Sequence, residues 1–220
     1  MKRILATVLA AVALVATLAG PAAASATAAD GARTVTQQQA VAKLRLLYHW
    51  GLPVQYVVDG GTAIYPIKGS TSAGDLPGLT EYRAYKELRR CFNCSFPVKG
   101  APKAYPKNGQ LVNLVACLGR LGCKKAPVRT YTVIEHGTFQ YLKLVAQKGH
   151  FDGAGSAIYF RFRIDESNNN LLLDVRAYVA KPTVPDAVNK AAANLTWRRF
   201  GNQLGGNMWR YQNCRPWCHN

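Results

Sequence analysis

Acidic side chains are scarce in this chain: 11 Asp and Glu stand against 28 Lys and Arg, a formal charge of +17 over 220 residues. A surface of that sign favours anionic partners, whether nucleic acid, an acidic envelope polymer, anionic lipid or an acidic protein, and charge alone does not choose among them. Long apolar runs are missing after the N-terminus, which excludes a later membrane-spanning helix. Internal repeats and low-complexity linkers are absent as well, so nothing divides the chain into several domains. The sequence has no Gly-x-Ser-x-Gly elbow, no His-Glu-x-x-His helix and no phosphate-binding glycine loop, which removes the best-marked hydrolase and nucleotide-binding classes.

The one long apolar run is the first feature present. Lys2 and Arg3 precede Ile4 to Leu18, followed by Gly20-Pro21 and the small residues Ala22 to Ala29. This pattern reads as a secretory signal peptide, residues 1–29, with cleavage between 24 and 29. A membrane anchor is the alternative, but the run is shorter than the roughly 20 apolar residues that span a bilayer. Removing Lys2 and Arg3 leaves 26 basic against 11 acidic side chains, +15, in a single secreted domain over residues 30–220.

The clearest pattern in that domain lies between Ser156 and Ala180. Ile158, Phe160, Phe162 and Ile164 alternate with Tyr159, Arg161, Arg163 and Asp165; after the turn-rich Glu166 to Asn170, Leu171, Leu173, Val175, Ala177 and Val179 alternate with Leu172, Asp174, Arg176 and Tyr178. Period two over both runs predicts a hairpin with one apolar face. Placing Asp165 opposite Asn170 sets Arg161 against Asp174 and Tyr159 against Arg176, whereas a register two residues longer opposes Arg161 to Arg176. Opposite charges select the first. The apolar face needs a cover, and Val184 to Leu204 supplies one, with Val188, Ala192, Leu195, Trp197, Phe200 and Leu204 near helical spacing.

Upstream, Thr36-Gln37-Gln38-Gln39 fits a capping box and Gly51 with Pro53 fits a helix stop, so a helix is expected over Gln37–Trp50 with Val41, Leu44, Leu47 and Tyr48 on one face. His49 would then sit near its C-terminal end, favourable to the helix dipole. Short strands are expected at Val54–Val58 and Thr62–Ile67, and a second helix near Thr80. Strands at Leu111–Ala116, Val128–Glu135 and Thr138–Gln147 follow, the first two separated by a Gly119–Lys125 loop. Strands followed by a long helix make the fold class α+β, an antiparallel sheet packed on the C-terminal helix.

Residues 81–129 carry 11 Lys or Arg and only Glu81 and Glu87 as acids. Arg83, Lys86, Arg89, Arg90, Lys124 and Lys125 are the expected anion-binding set. Tyr82, Tyr85, Phe92 and Tyr105 lie among these cations and could stack on bases, although tyrosines at helical spacing more often belong to a core. Six cysteines, Cys91, Cys94, Cys117, Cys123, Cys214 and Cys218, suit an exported chain stapled by disulfides. Cys214 and Cys218 are expected to pair across Pro216, and Cys91 and Cys94 to link with Cys117 and Cys123, tying the basic helix to the sheet. A four-thiolate zinc site is the alternative, disfavoured by the five-residue gap in its second pair. Neither a metal nor a cofactor is expected.

The glycine-led strand Gly153 to Phe162, its partner strand and the closing helix resemble the end of a helix-grip domain, the fold of START-like lipid-transfer proteins and polyketide cyclases. The resemblance covers residues 128–204 and rests on element order. It implies an apolar cavity between sheet and helix, with Phe160, Phe162, Leu173, Val175 and Trp197 as pocket residues, and it implies no catalytic residue. The segments Phe96 to Pro102 and Gly149 to Gly153 are also similar to parts of exported bacterial proteins of unassigned activity.

The reading is therefore a secreted, basic, disulfide-stabilised and noncatalytic binding protein for a small apolar ligand or an anionic surface, with nucleic acid as a further partner class. The alternative is a secreted basic hydrolase such as a nuclease-type toxin, in which Glu135, His136, His150 and Asp152 perform acid–base work. Turn chemistry competes with that role for His150 and Asp152, because the segment is flanked by glycine.

Overall fold

The structure is a computed structural model, and it describes residues 44–58, 63–70, 79–136 and 138–213. Eight strands occur among these: β1 (Arg45–Pro53), β2 (Gln55–Val58), β3 (Ala63–Pro66), β4 (Leu111–Cys117), β5 (Cys123–Glu135), β6 (Thr138–Ala146), β7 (Ala157–Asp165) and β8 (Asn170–Val179). The helices are α1 (Leu79–Arg90), the single turn α2 (Phe92–Ser95) and α3 (Asp186–Asn213). Six strands form one antiparallel sheet in the order β1-β8-β7-β6-β5-β4, and β2 pairs with β3 separately. The expected α+β class, a sheet packed on the C-terminal helix and stapled by disulfides, is what the chain adopts.

The β7–β8 hairpin takes the expected register: Asp165 faces Asn170, Arg161 faces Asp174 and Tyr159 faces Arg176. Its inward positions Phe160, Phe162, Leu171, Leu173 and Val175 are all buried. Against them lie Trp197, Phe200 and Leu204 of α3. The Phe160 ring is 4.8 Å from Trp197 and 5.8 Å from both Phe200 and Phe96. Phe92 stacks on Phe96 at 4.8 Å, which draws α2 into the same cluster. Asn207 of α3 fixes the other side of that turn by donating to Ser95 Oγ at 3.0 Å and to the Cys94 carbonyl at 3.1 Å.

The segment ending at Trp50 differs from expectation. Residues 45–53 are a strand and not the end of a helix, and they complete the sheet beside β8. Tyr48, Trp50 and Leu52 alternate onto the apolar face, opposite Ala177, Val175 and Leu173. The same residues thus carry both a helical and a period-two pattern, and pairing with β8 decides between them, because a buried central strand must find backbone partners on both sides. Gly51 is a strand residue there, and His49 lies in mid-strand, pointing from the opposite sheet face to Asp174, 2.9 Å away. The capping-box residues 36–39 lie outside the described residues.

The cysteines also pair differently. Cys91 joins Cys94 and Cys117 joins Cys123, so each bond is local and neither ties α1 to the sheet. Cys117 and Cys123 are cross-strand partners at the mouth of the β4–β5 hairpin, which lets β5 begin five residues before the expected Val128 and places Lys124 and Lys125 in a strand. Cys214 and Cys218, like the 1–29 segment, lie outside the described residues. No helix among the described residues is long and apolar enough to cross a membrane.

Near its C-terminal end α3 comes down on the β1–β2 corner through two glycines one turn apart. A Cβ on Gly201 would stand 2.6 Å from the Pro53 carbonyl oxygen, and one on Gly205 would overlap the Gln55 carbonyl. Backbone cannot yield as a flexible side chain can, so Gly205→Ala should lower stability by about 1–3 kcal/mol through overpacking. Urea unfolding at neutral pH measures this, and a Gly205→Ala protein as stable as the parent would contradict the packing described.

Candidate functional site: a cavity between sheet and helix

The two halves of the sheet–helix interface are filled differently. Around Phe200 the interface is filled by the rings of Phe96, Phe160 and Trp197. Toward the start of α3 the facing residues shrink: Ala192 and Ala193 on the helix look across at Ala177, Ala146 and Ala126 on the sheet, and a cavity of about 370 Å³ lies between them. This is within the usual size of a small-molecule site, roughly 300–1,000 Å³. Leu114, Val128, Leu144, Ile158 and Val179 add apolar wall. The exposed lining residues Lys99, Leu195 and Arg199 mark the mouth.

One rim is built by the loop after α2. Val115 N–H donates to the Lys99 carbonyl at 2.8 Å, which seats Pro97 to Lys99 on β4. Trp197 closes the side nearest the aromatic cluster, and its indole N–H donates to the buried Tyr48 hydroxyl at 2.9 Å. Burial raises the Tyr48 pKa well above the ordinary phenol value, so it remains a neutral hydroxyl.

The polar end of the cavity comes from the β6–β7 loop. His150 Nδ1 accepts from the Asp152 backbone N–H at 3.0 Å, and Asp152 Oδ1 accepts from Asn189 of α3 at 2.6 Å. Ser156 Oγ donates to the Asp152 carbonyl at 2.7 Å and accepts from Ala180 N–H at 2.8 Å. Gly153 takes a positive φ of 86° where its Cα faces the Lys181 backbone, a position a Cβ would occupy only 2.8 Å from main-chain atoms. Burial pushes the Asp152 carboxyl up to about 6, opposed by the Asn189 hydrogen bond, and pushes the His150 imidazole down to about 4. Near neutral pH the imidazole is uncharged with its proton on Nε2, because Nδ1 is already an acceptor.

His136 does not join this group. It occupies the β5–β6 turn with a positive φ of 50°, and Glu135 pairs with Thr138 beside it. His150 follows the opposite end of β6, a nine-residue strand. At roughly 3.3 Å per residue the two imidazoles stand roughly 25–30 Å apart. The expected acid–base partnership of His136 and Glu135 with His150 and Asp152 is therefore corrected by topology: a hairpin strand separates them. Among the described residues no cluster of His, Cys, Asp or Glu is arranged to hold a metal.

Of the five expected pocket residues, Trp197 lines the cavity. Phe160, Phe162, Leu173 and Val175 are at most 3% exposed and form the solid core beside it. They pack against one another and against α3, and the hollow lies instead where alanines alternate with medium-sized aliphatics. Tyr48, Asn189 and the facing alanines were not among the expected residues. The Ala191-Ala192-Ala193 run within an amphipathic helix is the signal that could have found the helical wall.

The expected anion-binding set divides. Arg83, Lys86 and Arg89 project from α1, which leans through Tyr85 on Phe139 at the start of β6. Arg90 is paired to Glu87, with Arg90 Nε donating at 2.9 Å. Lys124 and Lys125 lie at the other end of the sheet, beside the Cys117–Cys123 bond. Tyr85 and Phe92 are buried, and Tyr105 meets both rings edge-on at 5.5 Å, so the aromatics of this basic segment belong mainly to the core.

His150 and Asp152 act on stability with opposite signs. Asp152 binds its proton more tightly folded than unfolded, so its contribution is present below about pH 4 and lost as pH rises through 6. His150 resists protonation when folded, so its contribution is present above about pH 6.5 and lost as pH falls toward 4. Two pKa units correspond to on the order of 2–3 kcal/mol. Stability of His150→Gln should fall by that order between pH 4 and 6, and stability of Asp152→Asn should rise over the same interval. Urea unfolding across this pH series tests the pair, and identical slopes in the two variants would contradict the burial of these groups.

No family model matches the chain, and no curated protein matches it. Among solved structures it is similar to the one titled "Crystal structure of Ara h 8.0201", with 8% sequence identity and a TM-score of 0.34 over 58% of this chain and 89% of that chain, a weak fold resemblance.

Proposed function

We propose that this protein is an exported, noncatalytic carrier that holds a small, largely apolar molecule between its sheet and α3. The observation that supports this reading best is the cavity of about 370 Å³, walled by alanine and aliphatic side chains and ending in a few fixed polar groups. Such a combination gives apolar burial for affinity and convergent hydrogen-bonding groups for orientation. The exposed cations Lys99 and Arg199 at the mouth suit a ligand whose outer end is anionic, such as an amphiphile with a carboxylate or phosphate head. The signal-like residues 1–29 and the two disulfides, which persist in oxidising compartments, support export. On this reading residues 30–220 are the secreted domain.

Filling the cavity tests the proposal. Ala193→Leu adds a branched side chain into the hollow and removes nothing from the wall. Its stability should equal or exceed that of the parent, while binding of a fluorescent apolar probe such as anilinonaphthalene sulfonate should weaken at least tenfold. A stable Ala193→Leu protein with undiminished probe affinity would show that the probe binds elsewhere and that the cavity is not the ligand site.

A further inference from the structure

We infer that the solvent-facing surface of the six-stranded sheet, on the side opposite the cavity, binds single-stranded nucleic acid through a row of alternating aromatic and cationic side chains. The row is Tyr131, Lys143, Tyr159, Arg176 and His49, each the direct cross-strand neighbour of the next across β5, β6, β7, β8 and β1. Strands lie about 4.8 Å apart, so the five positions span roughly 19 Å.

On this face cations outnumber the carboxylates Asp174 and Asp165, the latter at the far end of β7. Arg161 and Arg163 continue the same face of β7 beyond Tyr159, Arg161 diagonal to both Lys143 and Arg176. The carboxylate among them, Asp174, is only 7% exposed. It is already engaged by His49 at 2.9 Å, Arg163 at 3.4 Å and Arg176 at 3.5 Å. Gly51 stands opposite Asp174, and a Cβ there would lie 3.1 Å from the Arg163 guanidinium, so the missing side chain is what leaves room for this arginine on the sheet. A buried carboxylate shared by two arginines and a histidine holds their side chains in place and offsets one of the two guanidinium charges.

The aromatic side chains on this face meet one another edge-on. Tyr159 is central, with its ring centroid 5.4 Å from Tyr141 and 5.9 Å from Tyr178, and Lys143 Nζ lies 5.3 Å from its centroid. Tyr131 is 37% exposed at the β5 end of the row. These tyrosines sit on the opposite face from the core, and so differ from Tyr85 and Tyr105, which pack inside. A partner that matches cations alternating with flat rings must itself alternate anionic groups with planar aromatic ones. Single-stranded nucleic acid does so, its phosphates meeting the cations and its bases stacking on tyrosine. A duplex hides its bases in the stack, and an acidic polysaccharide offers charge without a planar ring.

The test uses the purified protein with its disulfides intact and a fluorescein-labelled oligothymidylate, read by fluorescence anisotropy. Binding should be measurable at about 50 mM salt and fall steeply by about 200 mM as phosphate contacts are screened. Tyr159→Ala should weaken it about tenfold or more, and the Lys143→Ala/Arg161→Ala double variant should weaken it and flatten the salt dependence. Tyr159→Phe keeps the ring and should bind within about twofold of the parent; with the double variant it carries the test if Tyr159→Ala fails to fold. An Arg83→Ala/Lys86→Ala/Arg89→Ala variant of α1 should leave the affinity within about twofold. Three results would overturn the inference: no binding at about 50 mM salt, an equal loss in the α1 variant, or full affinity in a folded Tyr159→Ala protein. The last, with heparin bound more tightly than oligothymidylate, would assign the face to acidic polysaccharide instead.

Discussion

The contact of Phe160 with α3 is the constraint on which the rest of the structure depends. Its ring meets Trp197 and Phe200 from the helix and Phe96 from the loop beyond α2, all within 5.8 Å. Burying aromatic side chains of this size dominates the energetics of such an interface. With that cluster in place, the Trp197 N–H reaches Tyr48 and sets the helix against β1, while Gly201 and Gly205 bring the following turns onto the Pro53–Gln55 backbone. The helix is thus pinned at its middle and toward its C-terminal end.

The hollow follows from that pinning. Large rings hold the helix at a distance that the alanines on either side of the N-terminal half cannot bridge. A collapse of the helix onto Ala146 and Ala177 would have to break the Phe160 cluster, and the bidentate contact of Arg45 with Asp186, at 2.7 and 2.9 Å, adds a surface restraint at the helix start. The loop carrying His150, Asp152 and Ser156 then finishes the cavity with side chains fixed in place through His150 Nδ1, Asp152 Oδ1 and Ser156 Oγ. That is why the same histidine and aspartate that suggest acid–base chemistry in the sequence read in three dimensions as the polar end of a cavity. Their perturbed ionisation reflects burial, and perturbed groups in a cleft serve ligand binding as well as catalysis.

Much of this was legible in the sequence where two independent signals agreed. The β7–β8 hairpin shows both strict alternation and a choice of register that pairs Arg161 with Asp174, and the structure has that register. β1 was illegible for the opposite reason. Leu44, Leu47 and Tyr48 fit a helical face, and Gly51 with Pro53 imitates its end, while Tyr48, Trp50 and Leu52 carry the strand pattern over the same stretch. Only the open edge of β8 decides between the two. Cysteine spacing showed that crosslinks form but not which, since Cys117 and Cys123 become neighbours only once β4 and β5 pair. The cavity was the least legible feature: hydrophobic pattern identifies the large residues that fill a core, and a hollow is made by the small ones. The outer face was written in the same alternation as the inner one, in Tyr159, Arg161, Arg163 and Arg176, but its continuation through Lys143 and Tyr131 required the order of the strands.

The central claim is that the space between the start of α3 and the sheet is a persistent apolar cavity that accepts a ligand. A crystal structure of the protein soaked with a brominated alkane measures this most directly, through the anomalous signal of bromine. The account predicts a bromine peak between Ala193 and Ala177, bordered by Trp197 and Leu144, with the Phe160 cluster unmoved. A helix that has closed onto Ala146 and Ala177, or bromine peaks found only on the protein surface, would contradict it.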